Sequence, residues 1–75
     1  VITSPLSAAY SALAIDMIGA RPVFADIDPV RLTLAPDAVA AAVTARSRAV
    51  LPVHLYGQAA DMDGIAAVAA RHGLV

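Results

Sequence analysis

The 75-residue chain contains no cysteine and no tryptophan, and with five cations all arginine and six anions all aspartate it also lacks lysine and glutamate. The missing cysteines rule out disulfide staples and thiolate chemistry, and fit a reducing, cytoplasmic compartment. The missing lysines and glutamates mean that chemistry requiring an ε-amino group or a glutamate base is not carried by these residues. Long apolar runs are missing too. Asp16, Arg21 and Asp26 interrupt the first half and Arg46, Arg48, Asp61 and Asp63 the second, so no stretch approaches the roughly 18 residues of a membrane span.

A net charge of −1 with singly scattered arginines leaves no footprint for nucleic acid and no basic membrane face. There is no secretory leader pattern. Dinucleotide-binding GxGxxG, the Walker A loop, HExxH and GxSxG are all absent, which removes the common dinucleotide, P-loop, zinc-protease and serine-hydrolase readings.

What is present is apolar: 60% hydrophobic residues and a mean hydropathy of +0.76, as expected of a parallel sheet covered on both faces. Seventy-five residues is about half a typical domain. The chain opens without methionine and closes inside an apolar run, so the expectation is a segment of a longer domain, incomplete at both ends.

The pattern alternates between strand and helix. Val1-Ile2-Thr3 reads as the end of a buried strand broken by Ser4-Pro5. Residues 7–18 turn helical, with Tyr10, Leu13, Ala14, Met17 and Ile18 predicted on the inner face, Ala9, Ala12 and Asp16 opposite, and Gly19 as the cap. Residues 21–26 form a second strand, stopped by Asp26-Ile27-Asp28-Pro29. A short extended piece over 32–34 leads to a helix over 36–43, opened by Pro36 and Asp37, with Val39, Ala42 and Val43 inward. Residues 49–54 are a third, continuously apolar strand. A helix capped by Asp61 runs to His72, with Met62, Ile65, Ala66 and Ala69 inward and Gly73 as its stop. Leu74-Val75 begins a fourth strand. The predicted fold is therefore α/β, a parallel sheet with helical crossovers in the order β-α-β-α-β-α-β.

In such sheets ligands sit beyond the carboxyl ends of the strands, which selects residues 4–10, 26–28 and 54–58 as the candidate rim. Asp26 and Asp28 could divide acid and base roles or hold a metal, but aspartates around a proline more simply make turns; no metal ligands are assigned. Asp61 and Asp63 read as helix N-terminal residues. His54 and Tyr56 flank Leu55 and share a direction if the strand persists, pointing into a pocket or, for the histidine, into a structural contact. His72 faces the last carbonyls of its helix. Ser4, Ser7 and Ser11 could meet an anion at a helix N-terminus, or Ser7 could cap that helix.

The run Val53-His54-Leu55-Tyr56-Gly57-Gln58-Ala59-Ala60-Asp61-Met62-Asp63 resembles the V-H-L-Y-G-Q-x-A-D-M-D segment of the pyridoxal-phosphate-dependent sugar aminotransferases of the DegT class. Val1-Ile2-Thr3 with its helix, the stretch 19–29 and Arg71-His72-Gly73-Leu74-Val75 agree in order and spacing. The resemblance implies that residues 1–75 are the middle of a fold type I large, cofactor-binding domain, built on a mostly parallel seven-stranded sheet. It implies pyridoxal 5'-phosphate (PLP) as cofactor, a nucleotide-linked keto sugar as acceptor, an amino acid such as glutamate as donor, and a homodimer. By that likeness Ala8 occupies the position of a ring that stacks on the cofactor, Tyr10 follows two residues on, and His54 and Tyr56 pass near the cofactor ring. The lysine that holds the cofactor and the aspartate that pairs its ring nitrogen fall outside residues 1–75, so no catalytic residue is assigned within them. Two related outcomes stay open: a keto-deoxysugar dehydratase with histidine for the lysine, and a non-catalytic relative.

Overall fold

The computed structural model describes residues 1–6, 9–55 and 57–75. The elements are β1 (Ile2–Thr3), α1 (Tyr10–Met17), β2 (Val23–Phe24), α2 (Pro36–Ala42), β3 (Val50–Leu51) and α3 (Met62–His72). The three strands form one parallel sheet in the order β2-β1-β3, with Ile2 opposite Val23 and Val50 and Thr3 opposite Phe24 and Leu51. The central strand is β-branched and fully buried, as a strand flanked on both edges and both faces requires.

Right-handed crossovers in a β2-β1-β3 sheet put α1 on one face and α2 and α3 on the other. The packing agrees. Helices α2 and α3 touch each other, and Val39, Ile65 and Val68 join Ile2, Ala25, Leu34 and Ala60 in one core, while buried Ile15 of α1 lies outside that cluster.

The predicted α/β order holds through α3, and the helices over 36–43 and 61–72 fall within a residue of expectation. The predicted fourth strand at Leu74-Val75 is not formed as a strand among the described residues, and the sheet has three strands, but Val75 does donate to Arg48 O and accept from Val50 N–H, each at 3.0 Å. The third strand is shorter than the predicted 49–54, because Pro52 has no N–H to continue a ladder. Beyond β2 the chain folds into a small hairpin, with an antiparallel bridge between Ile27 and Leu34.

Helix α1 corrects two expectations. It begins at Tyr10, with Ala9 at the cap position and no side-chain cap, instead of at Ser7, which lies outside the described residues. Its predicted inner face is exposed: Tyr10 is 79%, Met17 86% and Ile18 78% accessible, and Leu13 is exposed as well. Ile15 is the buried position, flanked by half-buried Ser11 and Ala12. A helix apolar on nearly every side offers the wheel no contrast from which to choose a face. Gly19 does take the left-handed conformation at φ 80°, and Ala20 N–H returns to Ile15 O at 3.2 Å, the bond that closes a glycine-terminated helix.

The inner face of α3 also shifts, from Met62, Ile65, Ala66 and Ala69 to Ile65 and Val68. Met62 and Ala66 instead line, with Val50, Pro52 and Leu74, a cavity of about 340 Å³ beside β3.

Candidate functional site

The chain runs from β1 to β2 on one side and then crosses back to β3 on the other, so the order reverses at β1. The β1/β3 gap is the switch point of a sheet ordered 2-1-3, where connecting segments diverge and leave a crevice at the carboxyl ends. Two side chains organise it. The hydroxyl of Thr3, fully buried, donates to Leu51 O at 2.8 Å across the gap, and Nδ1 of His54 accepts the Ala60 amide at 2.9 Å.

On the β1 side, Ser4 is buried and its hydroxyl is engaged by its own loop, accepting Leu6 N–H at 3.2 Å and donating to Leu6 O at 3.3 Å. It is not offered to an anion. Tyr10 opens α1 at this edge, its ring largely exposed. Ala8 lies outside the described residues, as does Tyr56 on the β3 side.

On the β3 side, His54 stands three residues past the last paired residue and is exposed. This corrects the picture of a histidine on a buried strand, and the reason is again Pro52. Further on, Gln58 N–H donates to Leu55 O at 3.0 Å and Gly57 takes φ 73°. Asp61 then caps α3, its Oδ1 accepting Gly64 N–H at 3.0 Å, as predicted. Here helices α2 and α3 come closest, and a Cβ on Gly64 would stand 2.6 Å from Pro36 Cγ.

The β2 side carries structure. Asp28 Oδ1 accepts Val30 N–H at 2.8 Å and Arg31 N–H at 3.0 Å. These bonds, led by that from Arg31 and joined by the Arg31 charge, hold its carboxyl below the usual aspartate value against a smaller opposing effect of burial. Asp26 Oδ1 accepts Ile27 N–H at 2.8 Å. Asp28 thus forms the turn, while the Asp26 carboxylate is engaged by its neighbouring amide; among the described residues no cluster suits a metal ion. A separate cavity of about 390 Å³, lined by Arg21, Arg46 and Arg48, lies at the opposite, amino end of the sheet. His72 ends α3, exposed, in the predicted last turn.

Reasoning from sequence missed the Thr3 bridge and the Ala60 amide. A threonine ending one strand, with a proline just past the end of another, was the available signal for the first. For the second there was only a histidine six residues before the residue preceding a helix cap.

Fold and rim together define a parallel α/β domain of the kind that binds a ligand at a β1/β3 switch point. The chain belongs to the DegT/DnrJ/EryC1/StrS aminotransferase family, which matches residues 1–75. It is 55% identical over its full length to a pleiotropic regulatory protein of Geobacillus stearothermophilus, covering 20% of that protein. It is 50% identical over 99% of its length to dTDP-3-amino-3,4,6-trideoxy-alpha-D-glucose transaminase of Micromonospora megalomicea subsp. nigra, again covering 20%. Among solved structures it superposes on DesI, determined in the presence of its TDP-sugar product, with a TM-score of 0.94 at 48% identity over 97% of this chain and 19% of that one. It also superposes on NtdA from Bacillus subtilis, solved with bound cofactor PMP, with a TM-score of 0.91 at 34% identity over 97% of this chain and 17% of that one. The chain thus spans about a fifth of the relatives it matches. The family is PLP-dependent. Among the described residues no helix is long and apolar enough to cross a membrane.

Proposed function

We propose that the complete protein is a PLP-dependent aminotransferase that moves an amino group from an amino acid, glutamate in the first instance, to a nucleotide-linked keto sugar. The observation that carries this reading is the family match over all 75 residues. The transaminase and TDP-sugar relatives support the acceptor class. Residues 1–75 would then be the middle of the large domain, with its sheet continued outward from Val75. The exposed apolar face of α1 suits burial against the rest of such a protein or the second subunit of a homodimer.

The rim fits part of a cofactor site. An exposed phenol ring opens α1 on the segment after β1 and an exposed imidazole stands on the segment after β3, while Asp28, after β2, is committed to its turn. Tyr10 offers a face for stacking, His54 a ring nitrogen for hydrogen bonding, and Ala8 and Tyr56 complete the proposed contacts by resemblance. With no lysine in the chain, these residues would bind and orient, and the covalent hold on the cofactor would come from another segment. When bound, PLP supplies the electron sink for amine transfer.

The test is product analysis with full-length protein, PLP, glutamate and a nucleotide-linked keto sugar. An amino sugar is the expected product. A deoxy sugar would indicate the dehydratase, and absence of a borohydride-reducible lysine adduct would overturn the aminotransferase. A non-catalytic, regulatory relative is favoured by one observation, the 55% identity to a protein named as a pleiotropic regulator. It predicts no amine transfer from any donor.

A further inference from the structure

His54 connects the end of one element to the start of the next. Its Nδ1 accepts the Ala60 amide, and Ala60 is itself buried and directly precedes Asp61, the cap of α3. An amide just ahead of a helix has no intrahelical acceptor, so the imidazole meets a donor that would otherwise be buried unpaired. Together with the Gln58 N–H to Leu55 O bond, it ties His54, beyond β3, to the start of α3.

The same bond fixes the ring's protons. A neutral imidazole that accepts at Nδ1 carries its hydrogen on Nε2, and that second nitrogen belongs to an exposed side chain on the switch-point rim. We propose that His54 is a positioning residue of this rim: Nδ1 clips the 54–60 connection to the start of α3, and the outward Nε2–H is a fixed donor for an acceptor oxygen of the ligand bound in the β1/β3 crevice. That the ligand is PLP or its amino form rests on the aminotransferase reading; the clip rests on the geometry alone.

Histidine suits both jobs because its two nitrogens stand on different edges of one rigid ring. Asparagine offers an acceptor near the position of Nδ1, while its amide N–H donors fall near the ring's Cδ2, short of the reach of Nε2, so His54→Asn separates the clip from the donor, whereas His54→Ala removes both. In full-length protein, His54→Ala should speed exchange of the Ala60 amide by roughly five- to tenfold, the loss expected of one net hydrogen bond. His54→Asn should restore slow exchange while weakening pyridoxamine phosphate binding roughly tenfold, the effect of a missing donor. In the wild type, ring-nitrogen NMR should find Nδ1 bare and Nε2 protonated, a readout that needs no variant to fold.

A proton on Nδ1, an Ala60 amide indifferent to His54→Ala, or undiminished pyridoxamine phosphate binding by His54→Asn would each overturn the proposal. A full-length protein that fails to transfer amines yet shows the clip and the tautomer overturns the functional reading and leaves the clip supported. An active aminotransferase whose Ala60 amide ignores His54 overturns this inference alone.

Discussion

Thr3 and Leu51 face each other at the last paired register of β1 and β3, and the threonine hydroxyl donates to the leucine carbonyl at 2.8 Å where the chain beyond turns to Pro52. A side chain thus adds a bond at the point where the backbone ladder loses a donor. Thr3→Val keeps the shape and removes that part-buried bond from a side chain that is itself fully buried. The expected cost is about 1–3 kcal/mol, read as a lowered urea midpoint of the full-length protein. Thr3→Ser should recover part of it.

Gly64→Ala should destabilise although alanine is the better helix former by about 1 kcal/mol. The new methyl would stand 2.6 Å from Pro36 Cγ and 2.9 Å from Asp61 Oδ2, forcing α2 away from α3 or disturbing the cap, at a typical overpacking cost of about 1–3 kcal/mol. Combining it with Pro36→Ala should relieve part of the loss. A double-mutant cycle in thermal unfolding measures the coupling, and strict additivity would contradict the contact.

The carboxyl of Asp28 is held below its ordinary value of 3.8, first by the Arg31 amide and then by that of Val30. A carboxylate depressed by folding contributes stability that is complete above its unfolded value and is lost as pH falls through the folded one. The Asp28 contribution is therefore present at neutral pH and disappears below about 3.8. Carboxyl-detected NMR should place its midpoint below 3.8. Asp28→Asn, which keeps an acceptor oxygen, should remove this acid-side dependence without removing the turn.

Thr33 is 1% exposed, and its hydroxyl finds no partner among the described residues. If none exists elsewhere in the full-length protein, Thr33→Val should raise stability by about 1 kcal/mol, since a buried unpaired hydroxyl is a net cost. A lowered melting temperature would mean that the hydroxyl has a partner in another segment.

The alternation of strands and helices was legible because each boundary has local chemistry: Pro36 opens α2, Asp61 caps α3, and Gly19 and Gly73 take the left-handed turns that end helices. The face of α1 was not, because Leu13, Ile15, Met17 and Ile18 are all apolar and only tertiary packing decides among them. At the site, His54 was legible as a residue type at a strand's end. Its tautomer was not, because that depends on an amide six residues away whose position is set by the turn at Gly57. The turn role of Asp28 was legible because its hydrogen bonds are local.

The central place of β1 has a consequence for the order of assembly. Ile2 and Thr3 pair with Val23 and Phe24 on one side and with Val50 and Leu51 on the other, so of these three strands the one made first has both edges closed only when the one made last arrives. Until β3, about fifty residues further along the chain, has left the ribosome, the facing edge of β1 has nothing to hold, and closing it crosses a long loop. The sheet is therefore built around a strand that must wait, and nascent chains halted before Val50 should leave Ile2 open to chaperones and proteases.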